Sequence, residues 1–182
     1  MTPGLRSTLV QVAAPLVTIL VVAGVSRAKR LSPREDLRLV PPPALAGVLW
    51  LAGWGLWVAL GQYAAPWLGE EPVQRWSYTG AALWLRAVGI LLFAPAAEEL
   101  LFRGLLFGQL ERTRLGTAGA LVVSAALFAV LHLQYAPLSM ALIFLDGLVL
   151  GAARAQARSV LLCFLMHALG NAVALAERWP AG

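Results

Sequence analysis

Six long apolar stretches dominate the chain, at residues 8–26, 44–62, 83–110, 117–135, 138–153 and 160–176. A membrane-spanning helix needs about 20 predominantly apolar residues to cross a hydrocarbon core roughly 30 Å thick. Inside that core every backbone N–H and C=O must be satisfied within the segment, which a helix does and an open strand does not. The pattern therefore predicts an all-α fold, a polytopic transmembrane helical bundle of about six spans forming a single domain over residues 1–182. Composition agrees: the 182 residues are 60% hydrophobic and 13% charged, against roughly 25% charged in soluble domains. That balance excludes a disordered chain and argues against a soluble globule. The single Cys excludes an internal disulfide framework, and no Cys/His spacing of the zinc-finger kind occurs. The first stretch is long for a signal-peptide core, lacks a small-x-small cleavage site and runs into a basic cluster, so it reads as a retained span.

The net charge of +5 is better explained by membrane orientation than by a nucleic-acid partner. Arg27, Lys29, Arg30, Arg34 and Arg38 follow the first stretch, Arg112 and Arg114 the third, and Arg154 and Arg158 the fifth. The other side holds Arg6, Arg75 and Arg178. Lys/Arg-rich loops stay in the cytoplasm, so the expectation is an integral inner-membrane protein with both termini outside. Lys29 as the only lysine, in an Ala/Leu/Arg-rich chain, suggests a bacterial source. The tryptophans at 50, 54, 57, 67, 76, 84 and 179 are read as interfacial anchors. Gly104…Gly108 and Gly147…Gly151 are small-xxx-small pairs that would let helices approach closely, and Cys163 is expected to be inert packing.

Against this apolar background a few polar side chains stand out: Glu98, Glu99, Arg103, His132, Asp146 and His167, with Asn171 as a companion. Ionisable groups inside a bilayer cost several kcal/mol and mark function or a buried pair. Both histidines of the chain fall in apolar stretches. Glu99 and Arg103 are four apart and can pair on one helix face, whereas Glu98 is rotated about 100° from Glu99. Phe128 shares a face with His132, and His167 with Asn171. At about 1.5 Å rise per residue, Glu98 lies roughly 21 Å, His132 about 22 Å, His167 about 14 Å and Asn171 about 20 Å from the basic side. All four fall within one hydrocarbon core of roughly 30 Å and could converge on a single buried site. Asp146 joins no constellation and is expected to make a helix-packing hydrogen bond.

The available chemistry is limited. There is no His-Glu-x-x-His helix, no Gly-x-Ser-x-Gly elbow, and with Asp36 in a loop no intramembrane aspartic dyad. A carboxylate can take a proton from water, and a His can position that water. A second His and an Asn amide can stabilise an oxyanion. The set suits water attack on an acyl carbon.

Glu98-Glu99-Leu100-Leu101-Phe102-Arg103, then Phe128-Ala129-Val130-Leu131-His132, then His167-Ala168-Leu169-Gly170-Asn171 resemble the three motifs of the CPBP family. These are CAAX-protease and bacteriocin-processing (Abi-like) intramembrane endopeptidases, similar to the type II CAAX prenyl protease. The resemblance spans residues 84–176. It implies a peptide-bond hydrolase acting on a membrane-associated or C-terminal-tail substrate, with a site open toward the cytoplasmic leaflet. It implies Glu98 as the base that activates water with His132, and His167 with Asn171 at the oxyanion. Glu99, Arg103 and Phe128 then support those groups.

Glu98, His132 and His167 could together hold zinc, but Asn171 is a poor zinc ligand, so no cofactor or metal is expected. Only about two spans precede the motif core, where the family has four; the substrate groove is then either more open or completed by a partner subunit or second copy. Two rival readings follow from the same residues. One is a non-catalytic scaffold or bacteriocin-immunity member of the family. The other is a small proton-coupled transporter using Glu98, Asp146 and the histidines.

Overall fold

The computed structural model describes residues 3–65, 67 and 73–180, with side chains from Ser7 onward; the Arg6 side chain, counted above on the sparse side, lies outside them. Among the described residues there are six helices and no strand: α1 Pro3–Ala28, α2 Ala44–Ala64, α3 Gly80–Glu111, α4 Gly116–Val130, α5 Pro137–Ala157 and α6 Val160–Arg178. Five are long and apolar enough to cross a membrane. The fourth is not. At 15 residues it rises about 22 Å, short of a full hydrocarbon core.

The hydropathy pattern places that span over 117–135, but the helix stops at Val130 and residues 131–135 fold into turns. His132 N–H donates to Ala129 O (2.9 Å) and Tyr135 N–H to His132 O (3.0 Å). Pro137 opens α5 and holds Ala136 extended at ψ 154°, because the residue before proline is driven out of the helical region. His132 therefore stands just past a helix end rather than within a span. The fifth stretch errs the other way. α5 continues past 153 because Arg154, counted above as a loop cation, is 3% exposed within the helix and paired with Glu111 at 3.1 Å.

α5 lies closest to α4. A Cβ on Gly147 would meet Ala125 Cα at 3.0 Å, and one on Gly151 would meet Leu121 Cδ1 at 2.6 Å. This pair does bring helices together. Gly104 and Gly108 instead make room for a connection: a Cβ at Gly108 would meet Asp36 O at 3.1 Å. The segment carrying the buried Leu37 is pressed there against α3.

That α1–α2 connection ties the basic ends of the bundle together. Ser32 N–H donates to Asp36 Oδ2 (2.6 Å), Arg112 donates to Asp36, and Ser159 Oγ donates to Val40 O (2.6 Å) while capping α6 through Leu162 N–H. The hydrogen bond from Arg112, with that from Ser32, holds the Asp36 carboxyl below the usual carboxylate range. A buried cluster of Trp54, Leu150, Ala153, Ala157, Leu162, Cys163 and Met166 joins α2, α5 and α6. Cys163 is inert packing there, its Sγ–H 3.3 Å from Leu150 O.

The tryptophans divide. Trp67 and Trp84 are exposed as anchors would be. Trp54 is buried, Trp50 Nε1 donates to Gln156 Oε1 (2.7 Å), and Trp57 Nε1 donates to Asp146 Oδ1 (2.7 Å). Those three fasten α2 to its neighbours instead of to the interface. Asp146 makes the interhelical bond expected of it.

Gly147→Ala should force the α4 and α5 backbones apart at an overpacking cost of about 1–3 kcal/mol. Gly61→Ala, where nothing lies within 4 Å, should be neutral or stabilising by up to about 1 kcal/mol. Thermal unfolding of the two purified variants in detergent checks this, and equal melting temperatures would refute the contact.

Candidate active site

α3 carries the first motif and is not a uniform α-helix. Residues Gly89–Phe93 and Leu100–Leu106 are wound as π-helix, and Pro95 lies between them. A proline inside a helix has no N–H to donate and crowds the preceding turn; a π-bulge widens the turn that must accommodate it. Ala94 N–H reaches five residues back to Gly89 O. The same reach would pair Ile90 O with the nitrogen of Pro95, which has no hydrogen. Ile90 O is thereby left without a backbone donor. Asn171 Nδ2 donates to it at 2.9 Å from α6.

The second π stretch surrounds the charged pair. Arg103 Nη1 donates to Glu99 Oε1 at 3.1 Å, both side chains being fully buried, as their spacing predicts. Arg103 Nη2 continues to Gly147 O (3.1 Å), so one guanidinium ties α3 to α5. The same Glu99 oxygen accepts a second bond, from His167 Nδ1 at 2.8 Å, which sequence spacing does not reveal. With Nδ1 donating to Glu99, the ring presents Nε2 to Glu98, 3.7 Å from its Oε2. The Glu98 side chain is 29% exposed, whereas Glu99 is sealed in. Two adjacent carboxylates thus have different environments: one is consumed by a buried network, the other faces open space beside a histidine.

His132 reaches the same region through Phe128. Its Nδ1 lies 2.9 Å from Phe128 O; a carbonyl can only accept, so Nδ1 carries the hydrogen and a neutral ring has its lone pair on Nε2. The buried Phe128 ring is 4.9 Å from the His132 ring, 5.9 Å from His167 and 5.3 Å from Phe102. The Arg103 guanidinium lies over it at 4.6 Å, within cation–π range. Phe128 is therefore the wall that both imidazoles lean on. The structure brings Glu98, Glu99, Arg103, Phe128, His132 and His167 together. Asn171, on the same face of α6 as His167, reaches α3 one helical turn further on. Trp54 packs behind that turn, where a Cβ on Gly170 would meet its Cζ2 at 3.3 Å.

Three further links escape the motif pattern. Arg154 Nε donates to Arg103 O (3.2 Å) and its Nη1 to Glu111 Oε2 (3.1 Å), extending the buried network toward the basic surface. The Asn171–Ile90 bond is the third. Its only sequence signal is Pro95 inside an apolar stretch, five residues after Ile90, which marks a carbonyl in need of a side-chain donor.

Zinc would require Glu98, His132 and His167 to converge with free donor atoms at about 2.0–2.2 Å from one point. His167 Nδ1 and His132 Nδ1 are committed to Glu99 and Phe128, which leaves both Nε2 atoms free as donors, as in ligating histidines oriented by a second hydrogen bond. Among the described residues, however, no three His, Cys, Asp or Glu side chains are grouped so as to hold a metal ion. No step of the reaction proposed below passes through a metal.

Arg103→Ala should strand the Glu99 carboxylate in the interior, which typically costs about 3–5 kcal/mol for a broken buried pair. Glu99→Gln/Arg103→Gln should recover much of the loss, because the introduced amide still offers His167 an oxygen. Folded yield and melting temperature of the single and double variants decide it; equal losses in both would assign the pair a role other than mutual neutralisation.

The residues just described lie within a stretch that matches a known family. The family model described as Type II CAAX prenyl endopeptidase Rce1-like matches residues 80–173, slightly more than half the chain, from the first residue of α3 to just beyond Asn171. Neither the curated proteins nor the solved structures gave a match. With five apolar helices of spanning length and that match over all three motifs, this integral membrane protein belongs to the Rce1-like family of type II CAAX prenyl endopeptidases.

Proposed function

We propose that the chain is an intramembrane endopeptidase that hydrolyses a peptide bond in a membrane-associated or C-terminal-tail substrate, with Glu98 as the general base. The observation that carries this reading is the division of labour between the two carboxylates. Glu99 is buried and already accepts from Arg103 and His167, while Glu98 is part-exposed and faces His167 Nε2.

In this mechanism Glu98 takes a proton from water as the water oxygen bonds to the scissile carbonyl carbon. The lone pair on His132 Nε2 accepts the other water hydrogen and sets its direction. The carbonyl oxygen becomes an oxyanion. Asn171 has two amide hydrogens, one engaged by Ile90 O and one left for that oxygen. His167, protonated, donates from Nε2 beside it, with Glu99 opposite Nδ1 as its counterion. Collapse of the tetrahedral species breaks the C–N bond, and the amine leaves with the proton carried by Glu98. Water is the only co-substrate that this exchange of bonds requires.

Glu98→Gln keeps the shape and removes the base, so cleavage of a fluorogenic tail peptide in proteoliposomes should fall about 10²-fold or more. Wild-type activity should survive prolonged chelation. Undiminished cleavage by Glu98→Gln would overturn the mechanism; chelator inactivation reversed by stoichiometric zinc would make the histidines ligands and remove His167 from the oxyanion.

The Lys/Arg bias supports a cytoplasmic location for the 27–38 and 154–158 segments and external termini. Arg154 adds nothing to that bias as a loop charge, since it is buried and paired, yet it lies at the same end as the rest. Reporter fusions in either segment should report cytoplasm; an external signal reverses the orientation.

A further inference from the structure

A polar cavity opens at the basic end of the bundle, and none of its lining residues belongs to the Glu98 site. It has a volume of about 280 Å³ and is lined by Arg38, Glu111, Arg154, Ala155 and Arg158. These come from three separate places: the α1–α2 connection, the end of α3, and the last turn of α5 with its cap Arg158. The buried Arg154 is held from below by Glu111 and by the carbonyl of Arg103. Its charge is already balanced by Glu111. Arg38 and Arg158 are different: among the described residues neither forms an ion pair, and although the Arg38 charge still acts on the nearby Asp36 carboxylate, the cavity keeps an excess of guanidinium over carboxylate groups.

The backbone at both positions is unusual. Arg38 has φ 55° and Arg158 has φ 53°, in the left-handed region that costs a non-glycine residue about 1–2 kcal/mol. Both are locked in it. Val160 N–H donates to Arg38 O (3.0 Å) and Arg158 N–H to Arg154 O (2.9 Å), while Ser159 Oγ joins the two segments through Val40 O. Arg30, just past α1, has the same conformation (φ 52°) without lining the cavity, and a left-handed residue is a common helix terminator, so the conformation itself marks no ligand. Its effect at 38 and 158 is to hold two cationic residues over one cavity.

We propose that this cavity binds the phosphate of an anionic phospholipid headgroup. The ends of membrane-spanning helices lie at headgroup depth, and basic pockets between such helices bind anionic headgroups. Guanidinium forks match phosphate oxygens in a bidentate way. A lipid fits better than free phosphate because an apolar cavity of about 470 Å³ begins on the same two segments, lined by Pro43, Leu49, Trp50 and Gln156 among others. Gln156 directly follows Ala155 of the basic cavity, and the Trp50 indole N–H is already satisfied by Gln156. The wall left for an acyl chain is apolar. The proposal rests on the membrane fold alone and is independent of the peptidase reading.

The test uses the full chain purified in detergent, with phosphatidylglycerol, phosphatidylcholine and inorganic phosphate as separate probes. Native mass spectrometry and lipid-dependent melting temperature are the readouts. Phosphatidylglycerol should bind about tenfold more tightly than phosphatidylcholine, a difference of about 1.4 kcal/mol. The variant Arg38→Asn/Arg158→Asn should lose that preference while melting close to wild type without lipid, because Asn tolerates the left-handed region. Equal affinity of the wild type for both lipids, or an unchanged preference in the double variant, overturns the proposal. So does binding of inorganic phosphate without phosphatidylglycerol, which would make the ligand a free anion. Should the double variant not fold, the wild type decides: the preference must shrink as ionic strength rises from about 0.05 to about 0.5 M, and a salt-insensitive preference overturns it.

Discussion

Glu99 Oε1 accepts from Arg103 at 3.1 Å and from His167 at 2.8 Å, and so joins an ion pair on α3 to a ring on α6 in a dry interior. Arg103 extends the arrangement to α5 through Gly147 O, and the Arg103 carbonyl takes Arg154. Three spanning helices are therefore fixed in rotation about a single anion. Burying that many polar groups is costly, and good geometry alone offsets it only partly. Glu99 Oε2 and Arg103 Nε are moreover buried without a hydrogen-bond partner, so neutralising a pair is not all that the arrangement achieves. Its distinctive result is a histidine ring that can point in only one direction, with Nε2 toward Glu98.

The same logic explains why two adjacent glutamates do not compete. On an α-helix they diverge by about 100°, so only one can face the Arg103–His167 network. The other is left toward the open side of α3. Phe128 closes the arrangement by seating the guanidinium on its face and packing against both imidazoles. An aromatic wall also keeps the surroundings apolar, where hydrogen bonds to charged groups are strongest. Cations, carboxylates and rings from three segments thus reinforce one geometry rather than merely coexisting in it.

How much of this is legible in the sequence depends on whether an interaction lies within one helix or between helices. Glu99–Arg103 is readable, because four residues on a helix make neighbours. So are the shared faces of Phe128 with His132 and of His167 with Asn171, and the close approach at Gly147 and Gly151. The helix count follows from the apolar runs. The Glu99–His167 bond is not readable, since it needs the relative rotation of α3 and α6, and two π stretches in α3 shift its phase away from a 3.6-residue count. The end of α4 is misplaced by hydropathy, which continues through Leu131 and Leu133 while Pro137 dictates the turn. Arg154 is misplaced because a charged residue near a span end reads as solvated until its partner Glu111 is known.

Asn171 shows how closely architecture and chemistry are joined here. Pro95 leaves the part-buried Ile90 carbonyl without a backbone donor, and the Asn171 amide supplies one. The same bond fixes the amide's plane and so directs its second hydrogen. In the proposed mechanism, the residue that repairs a helix distorted by proline also serves as a preoriented donor one turn from His167. Preorientation is what makes a hydrogen bond useful to a developing charge, because nothing need be rearranged when the charge appears. The π-bulge, the proline and the asparagine are therefore one device. The irregularity of α3 is what gives the polar group on α6 a partner at this depth.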